Sequence, residues 1–358
     1  TGGAHADRIT LSLLYPISTN RSKVDSTNVG LSLLQNSLGR VNGVHLSGIS
    51  AVSWNNVMGV QTAVLYSQIY HDLKGISIAT VNVVNKNVVG IQVSYAANLL
   101  AKSLVGYQMS GVINFVGGNL KGVQQSAVFN VVGKSFKGVQ TAGAGNVVGE
   151  DFKGLQFGIS FNFVGKTMRG IQSSAFNVCG ELQGMQLGYG NIAQINHGWQ
   201  IGLFNLAEIQ QGIPIGLINI SDDSNVSWQN YFSNYANFVT AVSFVSNNFV
   251  SSLEVGIPEF LPKYEDSFLL GFHYGYRLPI KKIGLQADLG YLHTFIDIGD
   301  ENSNRSDVGA IQLRLAFSQQ VSKWLNLFAG FGNSTTISYE TTEKSENRLL
   351  YFAGINLF

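Results

Sequence analysis

Residues 154 to 163 alternate: Leu155, Phe157, Ile159, Phe161 and Phe163 are apolar, and Gln156, Gly158, Ser160 and Asn162 between them are small or polar. A period of two over such a run predicts extended backbone with one apolar and one polar face. Gly165 then interrupts, the single apolar Met168 follows, and Arg169 precedes the next glycine. Neighbouring stretches fill the Met168 slot with Leu120, Phe136 and Phe152. The pattern reads as a strand, a glycine corner, a shorter strand with one anchor, and a second glycine corner. Glycine suits a tight corner because it alone adopts positive φ cheaply.

The same phrase recurs about eleven times between Gly43 and Ile220, set in register by Gly122-Val-Gln124 with Asn130, Gly138-Val-Gln140 with Asn146 and Gly154-Leu-Gln156 with Asn162. It spaces at sixteen residues from Gly90 to Gly170 and at fourteen from Gly170 to Gly212. A fixed period of this kind outranks other signals of fold.

Two architectures use such a unit. In a parallel β-solenoid each repeat is one coil and like residues stack over like. In a single large antiparallel β-barrel each repeat is a long strand, and alternate corners fall on opposite rims. The corners match in chemistry, which favours the solenoid: Lys121, Lys137, Lys153 and Arg169 each precede their glycine, and Asn98, Asn114, Asn130, Asn146, Asn162, Asn177, Asn191, Asn205 and Asn219 recur at one slot. Stacked amides hydrogen-bond as a ladder at strand spacing, about 4.8 Å. The long alternation also fits a membrane-spanning strand, so the barrel stays as the alternative.

The expected fold is therefore all-β: a parallel β-solenoid of about eleven coils of fourteen to sixteen residues, joined to an antiparallel β-sheet or small β-barrel. Three regions follow: 1–42, N-terminal strands; 43–220, the repeats; and 221–358, an antiparallel region of outer-membrane type. In the last, seven strand-like runs lie between Phe238 and Phe358, rich in Tyr and Phe, and Trp228 to Tyr235 reads as irregular. Their connections alternate between short and long, as in outer-membrane barrels. A strand from Ile9 to Tyr15 joining those seven would close a barrel of eight and protect both sheet edges.

Composition narrows the function. Charged residues make up 12% and the formal net charge is +1, so no strong field recruits nucleic acid. Cys179 is the single cysteine and reads as a small buried hydrophobe. The six histidines lack metal spacing, the acidic run Asp297 to Asp307 lacks calcium-loop spacing, and neither a nucleophile elbow nor a phosphate loop occurs. No catalytic, cofactor-binding or metal-binding residues are expected.

Two repeated surfaces remain. The basic row Lys121, Lys137, Lys153 and Arg169 could contact anionic lipid or glycan, or serve as a solubilising fringe. The column Gln61, Gln92, Gln108, Gln124, Gln140, Gln156, Gln172, Gln186 and Gln200 could offer a periodic binding face, or satisfy itself.

The Gly-Val-Gln-x4-Asn phrase, its ending in Gly212-Ile-Pro-Ile-Gly-Leu-Ile-Asn219 and the strand-rich tail resemble the surface repeat-containing outer-membrane proteins of spirochaetes and Bacteroidetes. The resemblance implies a Gram-negative outer-membrane or cell-surface location with no assigned enzymatic activity, and the opening Thr1-Gly-Gly-Ala-His5, without a charged and apolar leader, reads as a form exported with its signal peptide cleaved. Outer-membrane lipid and other envelope proteins are the expected partners. A structural or interaction role leads, and a passive pore is its alternative.

Overall fold

The computed structural model describes residues 6–14, 16–19, 26–258, 267–280, 282–295, 308–338 and 346–358. The described residues form strands and no helix: a parallel, solenoid-like sheet of many turns and a closed eight-strand antiparallel barrel. The chain divides into two compact units, Thr1–Ala193 and Gln194–Phe358.

In the first unit each coil contributes a longer strand such as Phe136–Ala142 and a shorter one such as Gly145–Val148. The longer strand pairs in parallel with Leu120–Ser126 and with Phe152–Gly158, which sets Lys137 between Lys121 and Lys153, and Gln140 between Gln124 and Gln156. The shorter sets Asn146 between Asn130 and Asn162. Like stacks on like, and a single large antiparallel barrel is not the fold.

The interior of these coils is partly polar. Gln124, Gln140, Gln156, Asn130, Asn146 and Asn162 are all fully buried, while Leu155, Phe157 and Phe163 on alternate positions are exposed. Burying an amide costs several kcal/mol unless its hydrogen bonds are remade, and here they are. Asn114 Nδ2 donates to Asn130 Oδ1 at 2.9 Å, Asn130 to Asn146 at 2.9 Å and Asn146 to Asn162 at 2.8 Å. The same nitrogens also donate to a carbonyl of the next coil, as Asn130 does to Thr141 at 2.6 Å. The glutamine column runs the opposite way: Gln140 Nε2 donates to Gln124 Oε1 at 2.8 Å and Gln156 to Gln140 at 2.9 Å. The two rows of aligned amide dipoles therefore oppose one another. Apolar columns fill the remaining space, with Val132, Val148 and Val164 in one and Phe136, Phe152, Met168 and Leu182 in another.

The glycine before each glutamine lies inside a strand rather than between strands. Gly154 belongs to Phe152–Gly158 and has φ +142°, and a Cβ there would stand 1.8 Å from the carbonyl oxygen of Gly138. Close approach of the preceding coil, together with positive φ, is what fixes glycine at this slot.

The N-terminal strands belong to the parallel sheet. Ala6–Leu14 pairs in parallel with Ser26–Leu38, which continues into the strands Arg40–Ser47 and Ser50–Ser53. The expectation that 1–42 joins the C-terminal sheet is corrected, because that barrel closes without it.

The second unit begins with the last repeats. Trp199–Ile201 pairs in parallel with Ile213–Ile215, and Phe204–Gln210 with Ile218–Ser221. The barrel strands are Asn225–Ser233, Ala236–Ser246, Phe249–Pro258, Phe268–Ile280, Ile283–Phe295, Val308–Gln320, Leu325–Ser338 and Asn347–Leu357. The first pairs antiparallel with the last, Tyr231 facing Gly354, and closes the ring. The segment that read as irregular, Trp228 to Tyr235, is mostly this first strand. Its aromatic residues obscure a regular alternation in which Trp228 and Phe232 face out while Gln229 and Tyr231 face in.

Candidate functional site

The chemistry of the barrel gathers on its axis. Glu254, His273, Asp288 and Arg314 come from four different strands and Tyr231 from a fifth, and each has relative exposure of 4% or less. Arg314 sits at the centre. Its Nε donates to Asp288 Oδ1 at 2.6 Å, its Nη2 to Glu254 Oε1 at 3.2 Å and its Nη1 to the Tyr231 hydroxyl at 3.0 Å. Tyr231 in turn donates to Glu254 Oε2 at 2.6 Å, Ser252 to Glu254 Oε1 at 3.1 Å and Gln286 to Asp288 Oδ2 at 3.0 Å. The guanidinium also stacks near the Tyr231 and Phe352 rings, at 5.7 and 5.3 Å from their centroids.

His273 Nδ1 lies 3.1 Å from Glu254 Oε1, off the line that a hydrogen bond requires. Gly290 opposite makes room for the imidazole, since a Cβ there would stand 1.9 Å from His273 Cδ2. Two carboxylates thus hold one guanidinium, with geometry that offsets the desolvation of all three. Around Arg314 and Asp288 the remaining void is only about 20 Å³.

Outward positions on the same strands are apolar. Leu289 is 58% exposed, Leu313 58% and Phe232 62%, and Ile257, Ile283, Phe317 and Phe331 are likewise exposed. An apolar outer band around a filled lumen, polar around Arg314 and apolar around Leu269, Leu292 and Leu350, departs from the usual arrangement of a water-soluble domain and has the outward face of a barrel in hydrocarbon.

In the first unit Lys121, Lys137, Lys153 and Arg169 stand in register on successive coils, all exposed. Lys74, Lys86, Lys102, Lys134 and Lys166 share this edge, and Glu150 offsets one of them at 3.6 Å from Lys166. Arg169 Nε donates to Gln183. The opposite corner carries no charge from Gly48 to Tyr189 and exposes Val64, Tyr95, Ile159 and Tyr189.

The asparagine ladder is internal, joining Asn98 through Asn191 in the first unit and Asn205 to Asn219 in the second. The glutamine column is buried with it and presents no face to a ligand. Cys179 is buried and accepts from Gln186 Nε2 at 3.4 Å, and burial followed by the nearby Glu181 charge pushes its thiol up to about 12. His5 and the acidic run Asp297 to Asp307 lie outside the described residues.

Sequence reasoning missed the lumen cluster. Its members lie 15 to 83 residues apart, and the one available signal was an ionisable residue at an inward position on five of the alternating strands.

No family model matches the chain, and no curated protein matches it. Among solved structures the N-terminal β-barrel domain of Pseudomonas aeruginosa OprF is similar at 11% identity and a TM-score of 0.29, over 38% of this chain and 96% of that one.

Proposed function

We propose that this chain is a non-enzymatic outer-membrane protein whose barrel anchors its coils as a structural or interaction scaffold. The observation that carries the reading is the barrel's alternation, with an apolar exterior and the buried Arg314 network within. Transmembrane barrels alternate in this sense because hydrocarbon solvates the outer side chains and every backbone group is satisfied around the ring.

The barrel's two ends differ. Its strands are joined at 247–248, 281–282 and 321–324 on the end where the chain enters at Asn225 and leaves at Phe358. At the other end one short turn, 234–235, and the longer segments 259–267, 296–307 and 339–346 connect the strands. Short turns of outer-membrane barrels face the periplasm, so the last coils, which lead into the barrel at Asn225, belong on the periplasmic side. The passive-pore reading is disfavoured by the Arg314 network and the small void beside it.

The test is insertion into lipid vesicles, with heat-modifiable gel mobility and planar-bilayer recordings. Stable insertion without steady conductance is expected; a chain recovered folded in detergent-free buffer would overturn the reading. For sidedness, Asn119→Cys on an exposed corner of the repeats should resist an impermeant thiol reagent in intact cells and react once the outer membrane is permeabilised.

We read the basic edge as a contact for anionic lipid. Stacked like charges repel in solution, and an anionic surface relieves that repulsion. Binding of the full chain to anionic vesicles, in excess over zwitterionic ones, should fall with salt and with the triple change Lys121→Gln, Lys137→Gln and Lys153→Gln. Salt-independent binding would dispose of this contact.

A further inference from the structure

The short-turn end of the barrel, where the last coil docks, holds a cavity of about 540 Å³. Gln210 and Asp223 line it from the coil side, and Arg277, Lys323, Asn326 and Phe358 from the barrel side. All lie within one compact unit.

Its groups are incompletely satisfied. Arg277 lies across Gly284, where a Cβ would meet its Nε at 2.7 Å, and its Nη2 donates to Ser318 Oγ at 3.0 Å. Among the described residues it forms no ion pair, unlike Arg314, which has two carboxylates. Lys323 on the neighbouring turn adds a second cation. Gln210 is 8% exposed and accepts from Asn196 through Oε1 at 3.3 Å, and its Nε2 has no partner among the described residues. Asn326 is 5% exposed and its Oδ1 has none either. Gln210, Asn225, Asn247, Asn248, Gln320 and Asn326 line the cavity with side-chain amides, so it offers a ligand both donors and acceptors beside the two cations.

We infer that this cavity binds a saccharide carrying a phosphate or carboxylate group. Arg277 and Lys323 match the anion, the guanidinium offering a planar fork of donors. A sugar hydroxyl both donates and accepts, so it pairs with either end of such amides. Phe358, part-exposed at the rim, gives the apolar face of a pyranose ring a surface to lie on. The volume is in the range of small-molecule sites.

The test is calorimetric titration of the full chain in detergent micelles with glucose 6-phosphate, glucuronate, glucose and inorganic phosphate. At least one anionic sugar should bind, and glucose and inorganic phosphate should each bind at least about tenfold more weakly than it. Whichever of glucose 6-phosphate and glucuronate binds better identifies the anionic group. Arg277→Gln should weaken that sugar about tenfold or more, with Arg277→Lys recovering part. Lys323→Gln, on an exposed turn, should weaken it severalfold without touching the fold, and so carries the test if Arg277→Gln does not assemble. Affinities unchanged in the folded variants, equal affinity for glucose, or inorganic phosphate binding as tightly as the sugars would overturn the inference.

Discussion

Asn219 Nδ2 donates to Ser251 Oγ at 3.1 Å, so the asparagine ladder ends on a serine of a barrel strand. The same nitrogen donates to Gly216 O at 2.9 Å, which uses both of its hydrogens. Beside this contact Ser221 Oγ meets Ser246 Oγ at 2.8 Å, and the Tyr274 hydroxyl donates to Pro214 O at 2.8 Å. Pro214 stands where other coils carry glutamine. A proline has no side-chain amide to continue the column, so that row stops as the barrel begins.

Ser251→Ala therefore leaves a fully buried donor unmatched. An unsatisfied buried donor costs about 1–3 kcal/mol. Denaturant unfolding in detergent should show a loss of that order, and a change below about 0.5 kcal/mol would mean that water replaces the hydroxyl.

Gly154→Ala should be far more damaging than an ordinary glycine change. The new methyl meets the Gly138 carbonyl oxygen at 1.8 Å and φ is +142°. Strain of this kind is worth at least several kcal/mol, read as a large drop in the melting midpoint by circular dichroism. Gly165→Ala has its own close approach, 2.1 Å from Gly149 O, but no positive φ, and so should cost less.

His45 occupies a glutamine slot, opposite Gln61, and is fully buried. Its Nδ1 lies 3.3 Å from Gln61 Oε1 and its Nε2 3.4 Å from Ser47 Oγ. Burial lowers its pKa to about 4, against a partial rise from the Gln61 hydrogen bond. The fold thus favours the neutral ring, while the unfolded chain takes up a proton below about 6.5. Stability supplied by keeping the ring neutral is complete above pH 6.5 and declines as pH falls toward about 4, by roughly 3 kcal/mol in all. His45→Gln restores the column's usual residue and should flatten that pH dependence. An equally steep acid limb in the variant would place the sensitivity elsewhere.

Arg314→Ala strips the lumen of the guanidinium that pairs with Glu254 and Asp288. Removing one partner of a buried network costs about 3–5 kcal/mol. Converting Glu254→Gln and Asp288→Asn along with Arg314→Met should recover most of it. Urea unfolding of the three proteins in micelles, wild type, single and triple variant, checks this, and the single variant should be the one that gains bilayer conductance.

The stacking direction was readable because lysine, glycine, glutamine and asparagine each return at a fixed offset, as at Lys137, Gly138, Gln140 and Asn146. Which way the strands face was not readable from hydropathy. Phe157 and Phe163 look outward while Gln156 and Asn162 look in, because ladder bonds reverse the ordinary preference for burying the apolar residue. The first barrel strand was hidden for a related reason: outward Trp228 and Phe232 alternate with inward Gln229 and Tyr231. Edge closure by Ile9 to Tyr15 was a sound physical demand met by another segment. The lumen cluster and the cavity at Arg277 depend on partners brought together by barrel closure, and no local spacing encodes them.

The opposed amide rows leave the coils that begin at Gly106, Gly122, Gly138, Gly154 and Gly170 chemically interchangeable, each donating one side-chain bond forward and one backward. Duplication or deletion of one sixteen-residue segment, such as that separating Gly122 from Gly138, would therefore change reach by a single inter-strand step of about 4.8 Å without disturbing its neighbours. Length becomes a quantity that gene rearrangement can tune in quanta, while the anchor stays constant.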